Sequence, residues 1–238
     1  MNIQRSTLLV TGAAGGLGTA LIQSALARGA GKIYAASRDI STLQIKDSRV
    51  IPIRLDVTST EEIKAALLIA SDIDILINNA GLNRQQSFLT GIHDRAAEEE
   101  MSVNYFGTLE MCRMFAPVLT KRRGAIVNIL SILARVTLPA MGSLCASKAA
   151  ALRLTETIRA ELSQNNVHVM AVLPGVIDTL MSRDFPGPKA SPFSIAEAIF
   201  DGLNSSTSTL YPDPMAQDIA QRLVEDRQAV SSEFAAFI

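Results

Sequence analysis

The sequence predicts a single α/β domain built on a doubly wound, mostly parallel sheet of about seven strands with helices on both faces. Three observations carry this expectation. Short Ile/Val/Leu-rich runs alternate with longer helical patterns along most of the chain, as in repeated strand–helix–strand units. The runs lack the in–out alternation of a half-exposed sheet, so both faces of each strand are expected to be covered. The first run leads directly into a glycine-rich turn and a helix. At 238 residues the chain suits one such domain, 1–238, and it contains no internal repeat.

In chain order, Thr7–Thr11 (TLLVT) reads as the first strand and Gly16–Gly29 as the first helix. Ile33–Ser37 is a second strand. Val50–Leu55 (VIPIRL) is a third, with Pro52 unfavourable inside it. Glu61–Ala70 is helical and Ile73–Ile77 is a fourth strand. A long helix is expected from Arg95 to Leu119 despite Pro117 near its end. Ala125–Leu130 is a fifth strand, Ser143–Gln164 a long Ala/Leu-rich helix, Val167–Leu173 a sixth strand, and Thr209–Tyr211 a short seventh. Ser205–Ser208 is a turn. Residues 180–192, including the Pro/Gly cluster Phe185–Pro192 (FPGPKASP), read as a mobile loop over a site; only about 46 residues follow, too few for a second domain.

Composition narrows the classes of function. Apolar residues make up 48% and charged residues 19%, enough to fill a core, and the net charge of −1 provides no field for nucleic acid or an anionic membrane. The opening MNIQRSTLLVTG has too short an apolar run for a signal peptide or membrane span, so a cytoplasmic protein is expected. Cys112 and Cys145 form no CxxC or Cys/His pattern, and neither a disulfide framework nor a metal site is expected. Of the two histidines, His168 lies in a strand and His93 in a polar loop; without a third ligand they suggest no metal. Glu98–Glu100 reads as a solvated helix start. Met101, Met111 and Met114 read as a packed helix face. Lys121–Arg123 followed by Gly124 reads as a helix end.

Thr11-Gly12-Ala13-Ala14-Gly15-Gly16-Leu17-Gly18 follows the first strand. Its glycines let the backbone turn sharply and let a pyrophosphate approach the free N–H groups of the next helix, which marks a Rossmann-type dinucleotide site. The second strand ends at Ala36-Ser37-Arg38-Asp39. A carboxylate at the strand tip would bind a ribose 2′-hydroxyl; Ser37 with Arg38 suits a 2′-phosphate and favours NADP(H) over NAD(H). The alternative is that Arg38 is simply solvated and Asp39 caps the next helix.

The spacing Gly12-x-x-x-Gly16-x-Gly18, Leu55-Asp56-Val57, Asn78-Asn79-Ala80-Gly81, Asn104 in a predicted helix, and Pro174-Gly175-Val176-Ile177-Asp178-Thr179 together resemble the short-chain dehydrogenase/reductase family from Thr7 to about Thr179. The resemblance implies that Asp56 and Val57 meet the adenine, Asn79, Ala80 and Gly81 the adenosine ribose, and Pro174, Gly175, Ile177 and Thr179 the nicotinamide side. It also implies a small-molecule substrate, and a homodimer or homotetramer across the two long helices.

The family's catalytic set is a serine, a tyrosine with a lysine four residues later, and an asparagine. Ser131, Lys148 and Asn104 match it. Leu144 stands at the tyrosine position, thirteen residues after Ser131, which is the family's usual spacing. The group that would donate the proton is therefore absent, a loss of about 10²–10⁴ in rate for a general acid. Three readings remain open. The first is an NADP(H)-linked reductase with another proton path, through water, Ser131, Cys145, Tyr105 or Tyr211, or one acting on an imine, which needs no strong acid. The second is a non-redox step on the same scaffold, such as cyclisation, isomerisation or elimination. The third is an NADP(H)-binding pseudoenzyme.

Overall fold

The apolar runs form strands whose side chains are mostly buried, except in the third and seventh, which lie at the sheet edges. The computed structural model describes residues 2–92 and 95–236. Within them, β1 (Thr7–Thr11), β2 (Lys32–Ser37), β3 (Val50–Arg54), β4 (Ile75–Asn78), β5 (Ala125–Ile129), β6 (His168–Val172) and β7 (Thr209–Leu210) make one sheet in the order β3-β2-β1-β4-β5-β6-β7. Every neighbouring pair is parallel. Successive side chains leave a strand on opposite faces, and both faces are covered. On one side Leu8, Val10, Ile75, Ile77 and Val127 pack under α1 (Gly16–Ala27) and α6 (Pro192–Asn204). On the other, Leu9, Ala36, Leu76 and Ile126 pack under α2 (Thr60–Ile69), α4 (Thr108–Arg122) and α5 (Gly142–Leu162). The unbroken hydrophobicity of the runs has this double burial as its cause.

Pro52 is accommodated because β3 is an edge strand, where one side of the backbone has no ladder partner. β4 begins at Ile75 instead of Ile73, because the Asp74 carboxylate turns out to accept the Thr7 N–H (2.8 Å) and to meet Arg122. It extends to Asn78, whose amide belongs to the interior: Asn78 Nδ2 donates to Asn128 Oδ1 (2.8 Å), and Asn128 Nδ2 donates to Thr155 Oγ1 (2.9 Å). This buried chain joins β4, β5 and α5.

The expected helix Arg95–Leu119 is three segments: α3 (Ala96–Met101), a π-helical stretch Ser102–Gly107, and α4, which continues through Pro117 to Arg122. A widened turn lets Asn104 reach tertiary partners, and Gly107 brings the backbone so close that a Cβ there would stand 2.8 Å from Val57 Cγ2. The left-handed residue ending α4 is Arg123 (φ 50°), not Gly124, which is needed instead for its approach to Asp74 O. Glu100 is also corrected: it is fully buried, not solvated. It lies one helical turn before Asn104 and so shares its inward face.

Three helices at the carboxy-terminal end were not anticipated: α6, α7 (Pro214–Glu225) and α8 (Arg227–Ala235). Ile195, Ile199 and Phe200 of α6 bury against α1, and Arg28, the residue just after α1, meets Glu197 and Asp201. Among the described residues no helix is long and apolar enough to cross a membrane. Replacing Asn128 by alanine leaves the Asn78 amide without its carboxamide partner in a dry interior, at a cost of about 2–4 kcal/mol; urea unfolding of the variant is expected to show a correspondingly lower midpoint.

Candidate active site

The strand order reverses between β1 and β4, where chain crossovers leave in opposite directions and a cleft opens at the carboxyl ends of the strands. A cavity of about 830 Å³ lies there, at the large end of the range for ligand pockets. Its wall collects residues far apart in sequence: Gly12, Ala14, Gly15, Gly16, Leu17 and Gly18 from the first turn; Ser37 and Arg38; Asp56 and Val57; Asn79, Ala80 and Gly81; Ser131, Leu144 and Lys148; and Pro174, Gly175, Ile177 and Thr179. Asn104 is the one anticipated site residue not on that wall.

The first turn is shaped by contact distances. Gly12 has φ +63°, and a Cβ on Gly18 would stand 2.2 Å from Gly12 O. A Cβ on Gly16 would stand 2.9 Å from Thr179 Cγ2, so the loop after β6 closes directly over the start of α1. No side chain caps that start, which leaves its N–H groups facing the cavity. These features fit a dinucleotide pyrophosphate. The turn is braced from β4: Asn79 Nδ2 donates to Thr11 O (2.9 Å) and Gly12 O (3.1 Å), while Thr11 Oγ1 accepts from Asn79 N and Ala80 N (both 3.0 Å).

At the tip of β2 the Asp39 carboxylate accepts from Ser41 N–H (2.9 Å) and hydroxyl (2.6 Å), capping the short turn Ile40–Thr42. Those hydrogen bonds hold its acidity above the usual carboxylate's. Asp56 accepts from Thr58 N and Oγ1, a local turn, and its carboxylate still borders the cavity. Gly175 N–H donates to Asp213 Oδ2 (2.8 Å), and the same buried carboxylate caps α7; this partner was not visible in the sequence.

At the other end of the cavity, Leu144 and Lys148 lie one turn apart on α5. Lys148 Nζ donates to Ile129 O (3.0 Å), and burial lowers its pKa to about 8, partly offset by the Glu100 carboxylate. Ser131 Oγ accepts from Leu133 N–H (3.1 Å). Asn104 grips the backbone after Gly81: Nδ2 donates to Leu82 O (2.9 Å) and Ser147 Oγ (3.0 Å), and Oδ1 accepts from Leu82 N–H (2.9 Å). Glu100 extends this grip by accepting the Arg84 N–H. The segment so held supplies Leu82, Asn83 and Gln85 to the wall, and Gln85 Nε2 donates to Met181 O (3.2 Å) across the cavity mouth. With Leu133, Met141 and Phe185 these residues make this end predominantly apolar. No motif marks them: Leu82, Asn83 and Gln85 have only their position just after Gly81, Phe185 only its place inside residues 180–192, and Leu133 and Met141 carry no sequence signal.

Of the alternative acids, Ser131 is on the wall, whereas Cys145, Tyr105 and Tyr211 do not reach it. Cys145 is turned to Leu138 N–H (3.3 Å), and burial raises its thiol pKa. Tyr105 stacks edge-on against Phe106, and the Tyr211 hydroxyl accepts from Arg135. His168 stands at the start of β6 with Nε2 3.1 Å from Thr207 O, and His93 lies outside the described residues. Among the described residues no group of three His, Cys, Asp or Glu side chains is placed to hold a metal.

Comparison with known proteins gives the same answer by a separate route. The family described as short chain dehydrogenase matches residues 6–188. The chain is 37% identical over 190 residues to short-chain dehydrogenase PC-15 of Penicillium crustosum, covering 75% of this chain and 68% of that protein. It is 30% identical over 197 residues to the 3-oxoacyl-[acyl-carrier-protein] reductase FabG of Thermotoga maritima, covering 78% and 80%. The crystal structure of a short chain dehydrogenase from Burkholderia cenocepacia J2315, in complex with NADP, superposes with a TM-score of 0.96 at 49% identity, over 98% of this chain and 99% of that one.

The buried ammonium makes a prediction about stability. The folded-state pKa of Lys148 is below its unfolded value of 10.5, so the unfolded chain binds the extra proton more readily. The lysine therefore destabilises the cofactor-free fold below about pH 8, and this penalty fades as pH rises from about 8 to 10.5. Lys148→Met is expected to stabilise the cofactor-free protein at pH 7 by on the order of 2–3 kcal/mol, a gap that narrows towards pH 10.5; denaturant titrations at several pH values check it.

Proposed function

The chain belongs to the short-chain dehydrogenase family, and on that premise we propose an NADP(H)-dependent oxidoreductase that reduces a small apolar carbonyl or imine, with a proton donor other than a tyrosine. The observation that carries this reading is the convergence of the glycine turn, Ser37–Arg38, Ser131 and Lys148 on one cavity. Arg38 borders it beside Ser37, where a guanidinium can pair with a 2′-phosphate. The NADP complex of the 49% identical Burkholderia protein supports that choice.

When bound, the reduced dinucleotide would supply hydride. In this reading Gly12–Gly18 hold its pyrophosphate, Asp56 and Val57 its adenine, Asn79, Ala80 and Gly81 the adenosine ribose, and Pro174, Gly175, Ile177 and Thr179 the nicotinamide side. Lys148 meets the nicotinamide ribose and Ser131 orients the reacting group. Asn104 acts through Leu82 and Ser147. Leu144, at the tyrosine position of the family pattern, presents an apolar wall. An iminium is matched to such a wall because its reduction ends at a neutral amine and needs no proton. The same reading takes 1–238 as a single domain with a mobile loop at 180–192, in a cytoplasmic homodimer or homotetramer; half-exposed Phe106 on the π-helical stretch suits a subunit contact.

Leu144 also favours a second reading, a non-redox step or cofactor binding alone. Substrate-dependent loss of NADPH absorbance supports the reductase, whereas turnover that leaves NADPH unchanged supports the second reading.

Calorimetry with NADPH and NADH tests the cofactor assignment. NADPH is expected to bind more tightly. Arg38→Ala should weaken NADPH about ten- to a hundredfold, the value of a charge-assisted pair, and leave NADH nearly unchanged. Equal affinities in the parent protein would overturn the NADP(H) preference. Leu144→Tyr is expected to raise carbonyl reduction by about tenfold or more, since it restores a phenolic acid; steady-state rates at saturating NADPH check this.

A further inference from the structure

Reducing a carbonyl consumes one hydride and one proton, and the end of the cavity at Leu144 offers few proton-bearing groups. Ser131 presents a hydroxyl, Asn83 an amide and Lys148 an ammonium. Neither a serine hydroxyl nor an amide gives up a proton near neutral pH. Nζ of Lys148 makes one hydrogen bond among the described residues, to Ile129 O, which leaves two of its three N–H groups for the cavity. It lies close over Gly81, where an added Cβ would be 3.6 Å away. Leu144, one turn earlier on the same face, puts no hydroxyl between the ammonium and a substrate.

A second feature stands behind it. Glu100 is fully buried, and its Oε2 has no hydrogen-bond partner among the described residues; buried Ser143 Oγ is likewise unpartnered. Both belong to facing stripes. Asn104 and Ser147 meet across the π-helical stretch and α5, and one turn before each stand Glu100 and Ser143. A buried carboxylate with one oxygen bonded only to the Arg84 N–H and the other unpartnered is costly, and it stands one turn before Asn104, whose Oδ1 faces Gly81 together with Lys148 Nζ. Glu100 is the charged group that acts on Lys148 from the α3 side, and it favours the protonated form. Arg38, Asp39, Asp56 and Asp184 also border the cavity without contributing to that balance.

Building on the reductase reading, we propose that Lys148 is itself the proton donor in carbonyl reduction and that Glu100 is a positioning residue that keeps its ammonium charged. As hydride reaches the carbonyl carbon, the C=O π pair moves onto oxygen, the oxygen takes a proton from Nζ, and Lys148 is left as the neutral amine. Water returns the proton. The reduced dinucleotide is oxidised and the carbonyl becomes an alcohol. An iminium bypasses the lysine.

The test has two arms. The first is NMR titration of ¹³C-lysine-labelled, cofactor-free protein, with Lys148 assigned by its loss in Lys148→Met. The wild-type midpoint is expected near 8, and Glu100→Gln should lower it by about half a pH unit or more, roughly threefold in proton affinity. A midpoint above 10, or one that Glu100→Gln leaves in place, overturns the proposal; the wild-type titration decides alone if the variant does not fold. The second arm is kinetic, at saturating NADPH. Carbonyl reduction should fall as pH passes the NMR midpoint, and the fall should move with Glu100→Gln. Lys148→Met should lower carbonyl reduction about a hundredfold or more, and by a clearly larger factor than it lowers iminium reduction at the same saturating NADPH. Equal losses on both substrates would make Lys148 a cofactor-holding residue only and overturn the proposal. Absence of NADPH binding would overturn the reductase reading and the proposal with it, whereas binding and turnover without the pH-linked loss would overturn the proposal alone.

Discussion

The close approach of Gly18 to Gly12 O organises much else in this molecule. With no Cβ between them, β1 turns into α1 within a few residues, and α1 points its uncapped start at the cleft. The helix is then committed to lie over Leu8, Val10 and Ile77, and the turn is committed to lie beside the end of β4. Asn79 completes the arrangement by donating to both Thr11 O and Gly12 O. A residue with a side chain at position 18 would push the turn outward, and the brace from β4 and the cover from Thr179 would lose their partner surfaces. The cavity is a consequence of backbone closeness before it is a consequence of chemistry.

Polar side chains in the interior form a second layer of organisation. Asn78, Asn128 and Thr155 stitch β4, β5 and α5 together where apolar packing alone would leave their relative height free. Asn104 and Glu100 hold the backbone of Leu82 and Arg84. Most buried polar groups are hydrogen-bonded, and their directional bonds then define one arrangement. The wall that would meet a substrate is thus held from behind by a widened helical turn. The electrostatics at that wall follow from burial: an ammonium taken out of water holds its proton less firmly, and a nearby carboxylate restores part of that hold.

The elements that the sequence announced are those whose signal is local. The strands β1, β2, β5 and β6 come from short apolar runs whose limits shift by only a residue or so in the fold, and the glycine turn is recognisable because strand, glycines and helix are contiguous. Arg38 and Lys148 were legible for the same reason, each tied to a motif. The helices after residue 191 passed unnoticed although α6 carries Ile195, Ile199 and Phe200 at helical spacing. The Pro/Gly cluster just before them gives the stronger local signal, that of a loop. Glu100 was misread because three consecutive glutamates at a helix start look solvated, while a helix turns about 100° per residue and sends only one of them inward.

What the sequence by itself determined is the parallel sheet covered on both faces, the turn that leads into α1, and the placement of Leu144 one turn before Lys148, since each depends on neighbours within a few residues. What only the tertiary structure decided is which distant residues share a wall. Cys145, Tyr105 and Tyr211 carry suitable chemistry yet point elsewhere, whereas Asn83, Gln85 and Met141 carry no motif and line the cavity. Direction is the reason. A side chain's chemistry is written at its own position, but where it points depends on helix phase, strand register and the close contacts that lock one element against another.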